Sequence, residues 1–251
     1  MRYKSMNIAS SIEFDAPADY YKFRTPYIPK LFEALSEKLA FNENTQILDL
    51  DCGSGQIAGG LSPFIGNAIG IDFSEQMLAR AEKHANIRYI RNDINHDPVV
   101  LPDLMDHFFI GRAIHWIDAS ALRKTIDNCL RPGGSILIMG SGWSSETAWL
   151  APFLTMRQKY APNRNLDHRG QSKLKEVGFE LIERVQIKAR TTCSVDYLVK
   201  NSLSYNFSFD KIIANLEEFK QTIAALVAPH QGPDGLLNAT IVSWAMIYRK
   251  I

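Results

Sequence analysis

Residues 46–55, QILDLDCGSG, join a short apolar run to a glycine turn that begins with two aspartates. A compact apolar run before such a turn is typical of a buried parallel strand that ends at a ligand site. The glycines permit positive φ angles and let backbone N–H groups approach a ligand closely. Asp49 and Asp51 are two residues apart on a strand, so their side chains share a face and reach the turn together. The stretch therefore predicts a ligand site that is lined by carboxylates.

Strand-like and helical segments alternate on both sides of this stretch. Such alternation predicts an α/β fold with a doubly wound, mostly parallel sheet of seven strands, completed by an antiparallel pair at the sheet edge. Ser74 is a natural N-cap, and the turn at Pro132-Gly133-Gly134 is expected to start the fifth strand. The predicted strands are 46–50, 68–72, 87–93, 106–112, 135–140, 180–191 and 239–250, and the predicted helices are 27–40, 74–85 and 118–130.

The chain of 251 residues is expected to form a single domain over 1–251. The segment after residue 140 is rich in aromatic and polar residues with weak periodicity, and a later segment has a mostly helical pattern; both are expected to lie on the acceptor side of the site. The predicted organisation is an N-terminal lid and helix over 1–44, a ligand-binding core over 45–140, insertions over 141–170 and 194–228, and a final strand over 229–251.

Composition narrows the classes of function. The chain has 28 basic and 27 acidic residues and a formal charge of +1, which provides no broad attraction for nucleic acid. Its three cysteines are widely spaced, so neither a disulfide framework nor a metal site is expected. No apolar stretch is long enough for a membrane span. We therefore expect a cytoplasmic protein, a monomer or homodimer, without metal, membrane or nucleic acid as partner.

The identity of the ligand depends on charge. The segment GSGQIA at 53–58 also matches the dinucleotide pattern, and Asp72 lies where a ribose-binding acid is expected, so an NAD-dependent oxidoreductase is the alternative. A carboxylate about 4 Å from a pyrophosphate would repel it by roughly 4 kcal/mol at an effective dielectric constant near 20. S-adenosylmethionine instead brings an ammonium and a sulfonium. The paired aspartates favour this cationic ligand.

The motifs also resemble those of a known family. ILDLDCGSG at 47–55 resembles motif I of class I S-adenosylmethionine-dependent methyltransferases, and IGIDFSEQMLARA at 69–81 resembles their second motif. Three later segments are similar to the regions around strands three, four and five of that family: IRND, FFIGRAIHWID and LRPGGSILI. The matches cover residues 46–140 in order. The resemblance implies a Rossmann-like methyltransferase fold, S-adenosylmethionine as donor and S-adenosylhomocysteine as product.

The resemblance also implies a set of donor contacts. Asp49 and Gly53 would line the methionyl end, and Asp72 would accept hydrogen bonds from both ribose hydroxyls. One departure is Asp51, which replaces the first glycine of the family's turn; aspartate tolerates the left-handed conformation better than most residues, so we expect the turn to survive. The further implied donor residues are Ser54, Gly55, Phe73 (on the adenine), Met77, Asp93 (to the adenine amino group), Ile94 (backbone N–H) and Arg112.

The N-terminal segment resembles one branch of this family. YYKFRTPY at 20–27 is similar to the Y-x-x-x-R-x-P-Y segment of proteins like trans-aconitate methyltransferase, and the pair His115-Trp116 supports the same branch. Tyr20, Arg24 and Pro26 hold the motif positions, and Tyr20 is also a candidate contact of the acceptor. The resemblance implies that Arg24 pairs with the donor carboxylate.

The sequence indicates the acceptor-binding residues less clearly than the donor-binding residues. His115 follows the fourth strand and is either a general base for a hydroxyl acceptor or a packed histidine; Trp116 is an acceptor contact or a core residue. In the insertion at 141–170, aromatic residues are candidates for the wall of an apolar acceptor pocket, and an arginine is a candidate for binding an anionic group. The alternative is that these aromatic residues pack in the core and the arginines are solvated. These candidates are Trp143, Trp149, Tyr160, Arg157 and Arg169. The predicted reaction is methylation of a small molecule, most often on oxygen; a donor-binding subunit without activity is a further alternative.

Overall fold

A computed structural model describes residues 17–160 and 170–250 of the chain. Its seven strands form one sheet in the order β3-β2-β1-β4-β5-β7-β6. The strands are β1 (Gln46–Leu50), β2 (Asn67–Asp72), β3 (Ile87–Arg91), β4 (Met105–Gly111), β5 (Leu130–Trp143), β6 (Phe179–Cys193) and β7 (Leu237–Lys250).

The α-helices of the described residues begin with α1 (Pro29–Leu39), which has the proline at its first position, where the missing N–H costs nothing. The others are α2 (Gln56–Leu61), α3 (Glu75–Leu78), α4 (Ala119–Cys129), α5 (Leu150–Gln158), α6 (Gln171–Glu176), α7 (Val195–Leu203), α8 (Asn206–Ala214) and α9 (Leu216–Val227).

Strand β1 lies at the centre of the parallel part of the sheet. Its Asp49 pairs with Gly70 of β2 on one side and with Phe109 of β4 on the other, and both ladders are parallel. The chain order changes direction at β1, since β2 lies on one side of it and β4 on the other. Ligands of open α/β sheets bind beyond the carboxyl ends of the strands at such a switch point. The predicted site therefore lies where this rule places it.

Helices cover both faces of this sheet, as predicted. Ile47 and Phe109 face one hydrophobic cluster, in which α1 and α2 pack, whereas Leu48 and Phe108 face the other, in which α4 and α6 pack. All four side chains are fully buried. Consecutive residues point to opposite faces of a strand, so a run that is apolar at every position is buried on both sides.

The predicted edge pair is confirmed as neighbours: β7 lies between β5 and β6, and β6 forms the edge. The two strands are not joined by a tight turn, because α7, α8 and α9 lie between them in the chain. On one face of β7, Met246 and Tyr248 are buried in the core and Trp244 packs against them, and on the opposite face Ala245 and Ile247 are buried as well. This stretch is therefore covered on both sides.

Two predicted boundaries were wrong. The prediction of a helix over 74–85 fails after Leu78, because only Met77 of α3 is buried and most of the residues that follow are exposed, so little packing stabilises further turns. Ser74 does cap α3, since its hydroxyl accepts a hydrogen bond from the Met77 N–H. Strand β5 begins at Leu130 rather than after Gly134; the Pro-Gly-Gly segment forms a bulge inside the strand.

Two compact units divide the chain. The described part of the core unit comprises residues 27–141, 170–187 and 242–250. The described part of the insertion unit comprises residues 17–26, 142–160 and 188–241, which include most of the two predicted insertions. That the whole chain forms a single domain stays a prediction.

The insertion unit has a hydrophobic core of its own. Trp149, Phe153 and Phe219 are almost completely buried in it, together with residues of α7 and α9. The Trp149 Nε1–H donates a hydrogen bond of 2.9 Å to the Asn238 carbonyl oxygen. Trp149 therefore fills this core, and the structure does not place its side chain on a ligand-accessible wall.

We expect Trp149→Ala to lower the free energy of unfolding by about 3–5 kcal/mol, because it removes a large buried side chain and its hydrogen bond. Trp149→Phe keeps an aromatic ring and should cost about half as much. Urea unfolding measures both. Equal stabilities of the two variants and the parent would contradict the buried position of Trp149.

Candidate functional site

The turn after β1 has an unusual backbone. Asp51, Gly53 and Gly55 all have positive φ angles, of 51°, 57° and 71°. The left-handed conformation is rare for residues other than glycine, although aspartate adopts it more readily than most. The prediction that the turn accommodates Asp51 is confirmed. The turn leads into α2, whose N-cap is Gly55.

Asp72 at the end of β2 fastens this turn. Its Oδ2 accepts a hydrogen bond of 2.7 Å from the Gly53 N–H, and its Oδ1 accepts one of 2.9 Å from the Ser74 N–H. The side chain is 5% exposed. One carboxylate thus holds the glycine turn and the start of α3 together, and each of its oxygens retains a lone pair for a further donor such as a hydroxyl.

Asp49 is buried beside the same turn with half of its carboxylate unsatisfied. Its Oδ2 accepts a hydrogen bond of 3.2 Å from the Ala58 N–H in α2. Its Oδ1 is buried and has no hydrogen-bond partner among residues 17–160 and 170–250. An unpaired buried carboxylate oxygen costs free energy. A ligand that donates hydrogen bonds, above all a cationic one, would remove that cost.

The three carboxyls disfavour one another's ionisation. Burial and, to a smaller extent, the charge of Asp72 together raise the pKa of Asp49 to about 7, against the lowering effect of the Ala58 N–H. Burial also raises the pKa of Asp51 well above its usual range, as do Asp72, Asp93 and Asp49, while Lys173 opposes the shift. Burial likewise raises the pKa of Asp72. The site is therefore electrostatically complementary to a cation.

Cys52 lies within this group without a chemical role of its own. It is 9% exposed, and burial together with the neighbouring aspartates raises the pKa of its thiol well above the usual range. A thiol that is not ionised is a poor nucleophile. Its place in the turn is that of a small buried side chain.

Tyr89 of β3 packs against the turn and was missed by sequence reasoning. A Cβ at Gly55 would lie 2.1 Å from the Tyr89 hydroxyl oxygen, and a Cβ at Gly70 would lie 2.6 Å from the Tyr89 ring. These two glycines are therefore required for the space that Tyr89 occupies as well as for backbone conformation. A tyrosine in a short strand carries no sequence signal of this contact, because the contact spans three elements.

The residues predicted around the adenine lie on the neighbouring loops. Met77 is buried, and Phe73 and Asp93 are partly exposed. Both oxygens of Asp93 contact its own loop: Oδ1 accepts a hydrogen bond from the Asn95 N–H, and Oδ2 lies 2.8 Å from His96 Nδ1. The Ile94 side chain is buried in the core. Adenine contacts for these residues stay predictions.

His115 and Trp116 lie on a turn after β4 that is fixed from two sides. The Lys173 ammonium donates hydrogen bonds to the carbonyl oxygens of Ile114 and Ile117, at 2.8 and 2.5 Å. The Asn95 side-chain amide donates one to the Trp116 carbonyl oxygen. The His115 and Trp116 rings are 4.8 Å apart. Lys173 and Asn95 are distant in sequence, so no local motif indicates these contacts.

Arg112, at the carboxyl end of β4, also has a positive φ angle, of 58°. Its guanidinium donates a hydrogen bond of 2.7 Å to Gln56 Oε1 and lies 5.0 Å from the centroid of the Tyr27 ring. These contacts hold Arg112 beside the first residue of α2, next to the glycine turn. Ser54 of that turn is partly exposed.

The other predicted residues lie in the insertion unit. The Arg24 guanidinium donates two hydrogen bonds to the Ser204 carbonyl oxygen and stacks on Tyr205. Tyr20 packs near Phe209. The Trp143 ring contacts Trp149 and Tyr197, Tyr160 contacts Phe219, and Arg169 lies outside the described residues.

The described residues contain neither a cluster that could bind a metal nor a helix that could span a membrane. In residues 17–160 and 170–250, no group of three or more histidine, cysteine, aspartate or glutamate side chains could hold a metal ion. No helix in that part of the chain is both long enough and apolar enough to cross a membrane.

Comparison with known proteins relates part of the core unit to methyltransferases. Residues 47–134 match the family described as methyltransferase domain. The chain is 27% identical over 135 residues to the "Probable S-adenosylmethionine-dependent methyltransferase CRG1" of Saccharomyces cerevisiae, covering 45% of this chain and 46% of that protein. It is 30% identical over 143 residues to a malonyl-[acyl-carrier protein] O-methyltransferase of Pectobacterium atrosepticum, covering 54% and 56%. The chain spans about half the length of these curated relatives.

Solved structures extend the likeness to the whole fold. The structure of "a Putative Type II Methyltransferase" from Anaeromyxobacter dehalogenans superimposes with a TM-score of 0.69 at 18% identity, over 90% of this chain and 96% of that one. At this identity the likeness establishes the fold, which is that of the class I methyltransferases, and leaves the chemistry to the site.

The raised pKa of Asp51 makes stability depend on pH. The folded state holds a proton that the unfolded state releases above its lower pKa, so the destabilisation grows as pH rises from about 4. Asp51→Asn removes the charge and keeps a residue that tolerates positive φ. We expect this variant to be more stable by about 1–3 kcal/mol at pH 8 and to lose that advantage near pH 4.

Denaturant unfolding at the two pH values measures this difference, and Asp103→Asn, at an exposed aspartate, is the matched control. Equal stability of Asp51→Asn and the parent at pH 8 would contradict the raised pKa of Asp51.

Proposed function

We propose that this chain, which carries a methyltransferase domain over residues 47–134 and has the class I methyltransferase fold, transfers a methyl group from S-adenosylmethionine to a small metabolite. The observation that carries the proposal is the buried Asp49 carboxylate with an unpartnered oxygen beside the glycine turn. It supports a ligand with a cationic hydrogen-bond donor, and the ammonium of the donor is such a group.

The core residues fit this donor. Asp49 would hold its ammonium, and Asp72 would accept hydrogen bonds from ribose hydroxyls through its remaining lone pairs. Phe73, Met77, Asp93 and the Ile94 N–H are proposed to surround the adenine. The contacts of Arg24 and Arg112 with the donor are proposals from the resemblance.

The reaction depends more on the position of the acceptor than on acid–base catalysis. The sulfonium of the donor supplies an activated methyl group, so the chain has to orient the acceptor oxygen and exclude water. Methylation of an oxygen is supported by the name of one relative, an O-methyltransferase. A carboxylate acceptor needs no base, whereas for a hydroxyl acceptor we propose His115, on its fixed turn, as the base. The likeness to the trans-aconitate branch stays a prediction.

The NAD-dependent alternative is disfavoured by the same observation. A pyrophosphate at this turn would face the buried carboxyls of Asp49 and Asp72 and the partly buried carboxyl of Asp51. Asp72 already opposes the ionisation of both Asp49 and Asp51. A donor-binding subunit without activity would have the same site, so binding and transfer have to be measured separately.

The direct test is transfer of label from methyl-labelled S-adenosylmethionine to pooled small carboxylic acids, phenols and amines. A methyl ester releases volatile methanol in base, whereas a methyl ether or amine does not, so the release identifies the methylated group. We expect label on oxygen. Donor binding without transfer to any pool would favour the inactive subunit, and binding of NADH alone would favour the oxidoreductase.

Asp49→Asn tests the carboxylate itself. The amide can still accept the Ala58 hydrogen bond but no longer offers a charge to the ammonium, so we expect donor affinity to fall about ten- to a hundredfold. Calorimetric titration measures the affinity, with Asp103→Asn as the control of equal charge change. An unchanged dissociation constant for Asp49→Asn would exclude Asp49 from the donor site.

A further inference from the structure

The side chain of Tyr89 lies on the face of the sheet that α2 covers. The register pairs Tyr89 with Gly70 of β2, and Gly70 with Asp49 of β1. Side chains alternate between the two faces of a sheet, and residues paired in a parallel ladder point to the same face. Asp49 accepts its hydrogen bond from Ala58 of α2, which identifies the face. Because Gly70 has no side chain, the Tyr89 ring can cross over it toward the glycine turn.

The Tyr89 ring meets the glycine turn at two residues. A Cβ at Gly70 would lie 2.6 Å from the ring and 3.1 Å from Cys52 Sγ, so the ring and this thiol share the space above Gly70. A Cβ at Gly55 would lie 2.1 Å from the Tyr89 hydroxyl oxygen and 2.9 Å from Cε1 of its ring. Tyr89 therefore packs against the turn both near its beginning, at Cys52, and at its end, at Gly55.

Hydrogen bonds fasten the first half of the turn to β2. The Cys52 N–H donates to a carbonyl oxygen of β2 at 2.9 Å, and the Gly53 N–H donates to Asp72 at 2.7 Å. The Gly55 N–H instead donates to the Cys52 carbonyl oxygen, within the turn, and the Gly55 carbonyl oxygen accepts a hydrogen bond from α2. The second half of the turn is thus joined to the sheet by its packing against Tyr89.

The ring is the part of Tyr89 that makes this contact effective. The hydroxyl oxygen is buried and has no hydrogen-bond partner among residues 17–160 and 170–250. A buried hydroxyl without a partner costs free energy and stabilises nothing. The apolar area and the volume of the ring are therefore what hold Gly55 in place.

We infer that Tyr89 is a positioning residue of the donor site: its ring holds the second half of the glycine turn in the conformation that binds the donor. The inference rests on the proposed function and adds to it a residue that acts through the turn. Binding groups have to be held closely, since a misplacement of about 1 Å can cost about a hundredfold in rate. Loss of the ring should therefore weaken donor binding.

Calorimetric titration with S-adenosylhomocysteine tests the role of the ring. We expect Tyr89→Ala to bind about ten- to a hundredfold more weakly than the parent, because the turn loses its packing contact. Tyr89→Phe keeps the ring and should bind within about twofold of the parent. Equal affinity of Tyr89→Ala and the parent overturns the inference, and so does a loss in Tyr89→Phe as large as that in Tyr89→Ala. Tyr89→Leu replaces Tyr89→Ala if the latter does not fold.

A double-mutant cycle locates the contact. Gly70→Ala places a methyl group against the Tyr89 ring, so we expect it to displace the ring and weaken binding about tenfold. In the Tyr89→Ala background the space is open and Cys52 can shift into it, so Gly70→Ala should change the affinity by less than about twofold. Losses that simply add in the double variant would contradict a contact through Tyr89.

A control variant separates positioning from general loss of stability. Phe179→Leu removes part of a buried ring from β6, at the opposite edge of the sheet from β3. We expect it to lower the urea midpoint of unfolding while leaving the affinity for S-adenosylhomocysteine unchanged. If Phe179→Leu weakens binding as much as Tyr89→Ala at a similar unfolding midpoint, the positioning role of Tyr89 is refuted.

Binding by the parent chain separates this inference from the proposed function. A parent chain that does not bind S-adenosylhomocysteine would refute the proposed function and the inference with it. A parent chain that binds it, together with unchanged binding by Tyr89→Ala, would refute the positioning role alone.

Discussion

The central constraint on this molecule is the burial of acidic groups at the ends of β1 and β2. Asp49 has to lie beneath α2 to accept the Ala58 hydrogen bond, and Asp72 has to lie beside the turn to hold Gly53. Both roles require carboxylates where solvent is excluded, and Asp51 adds a third acidic group on a left-handed residue. Burial makes ionisation of these carboxyls unfavourable, and a bound cationic ligand would make it favourable again. The same buried carboxyls therefore lower the stability of the folded protein and favour a cationic ligand.

Much of this arrangement follows from local sequence. The apolar run before the glycines predicts β1 because both faces of a central parallel strand are covered. The positive φ angle of Asp51 and the cap at Ser74 follow from the conformational preferences of single residues. These features depend on residues only a few positions apart, so they can be predicted from a single sequence.

The missed features depend on contacts between distant segments. Tyr89 fills the space above Gly55 and Gly70, and Lys173 fixes the turn of His115 from another helix. The early end of α3 reflects how little of it the core covers, which periodicity does not reveal. Aromatic residues after residue 140 present the same difficulty, because Trp149 is a core residue and Trp143 borders it, and composition does not distinguish packing from recognition.

Proton release on ligand binding tests the electrostatic account most directly. Calorimetric titration with S-adenosylmethionine at pH 6.5, in buffers of different ionisation enthalpy, counts the protons released per donor bound. Because the pKa of Asp49 is about 7, the unliganded site is largely protonated at this pH, and pairing with a cation should release at least about half a proton. Binding that releases no protons, or takes them up, would contradict the claim that these carboxyls ionise to hold a positively charged donor.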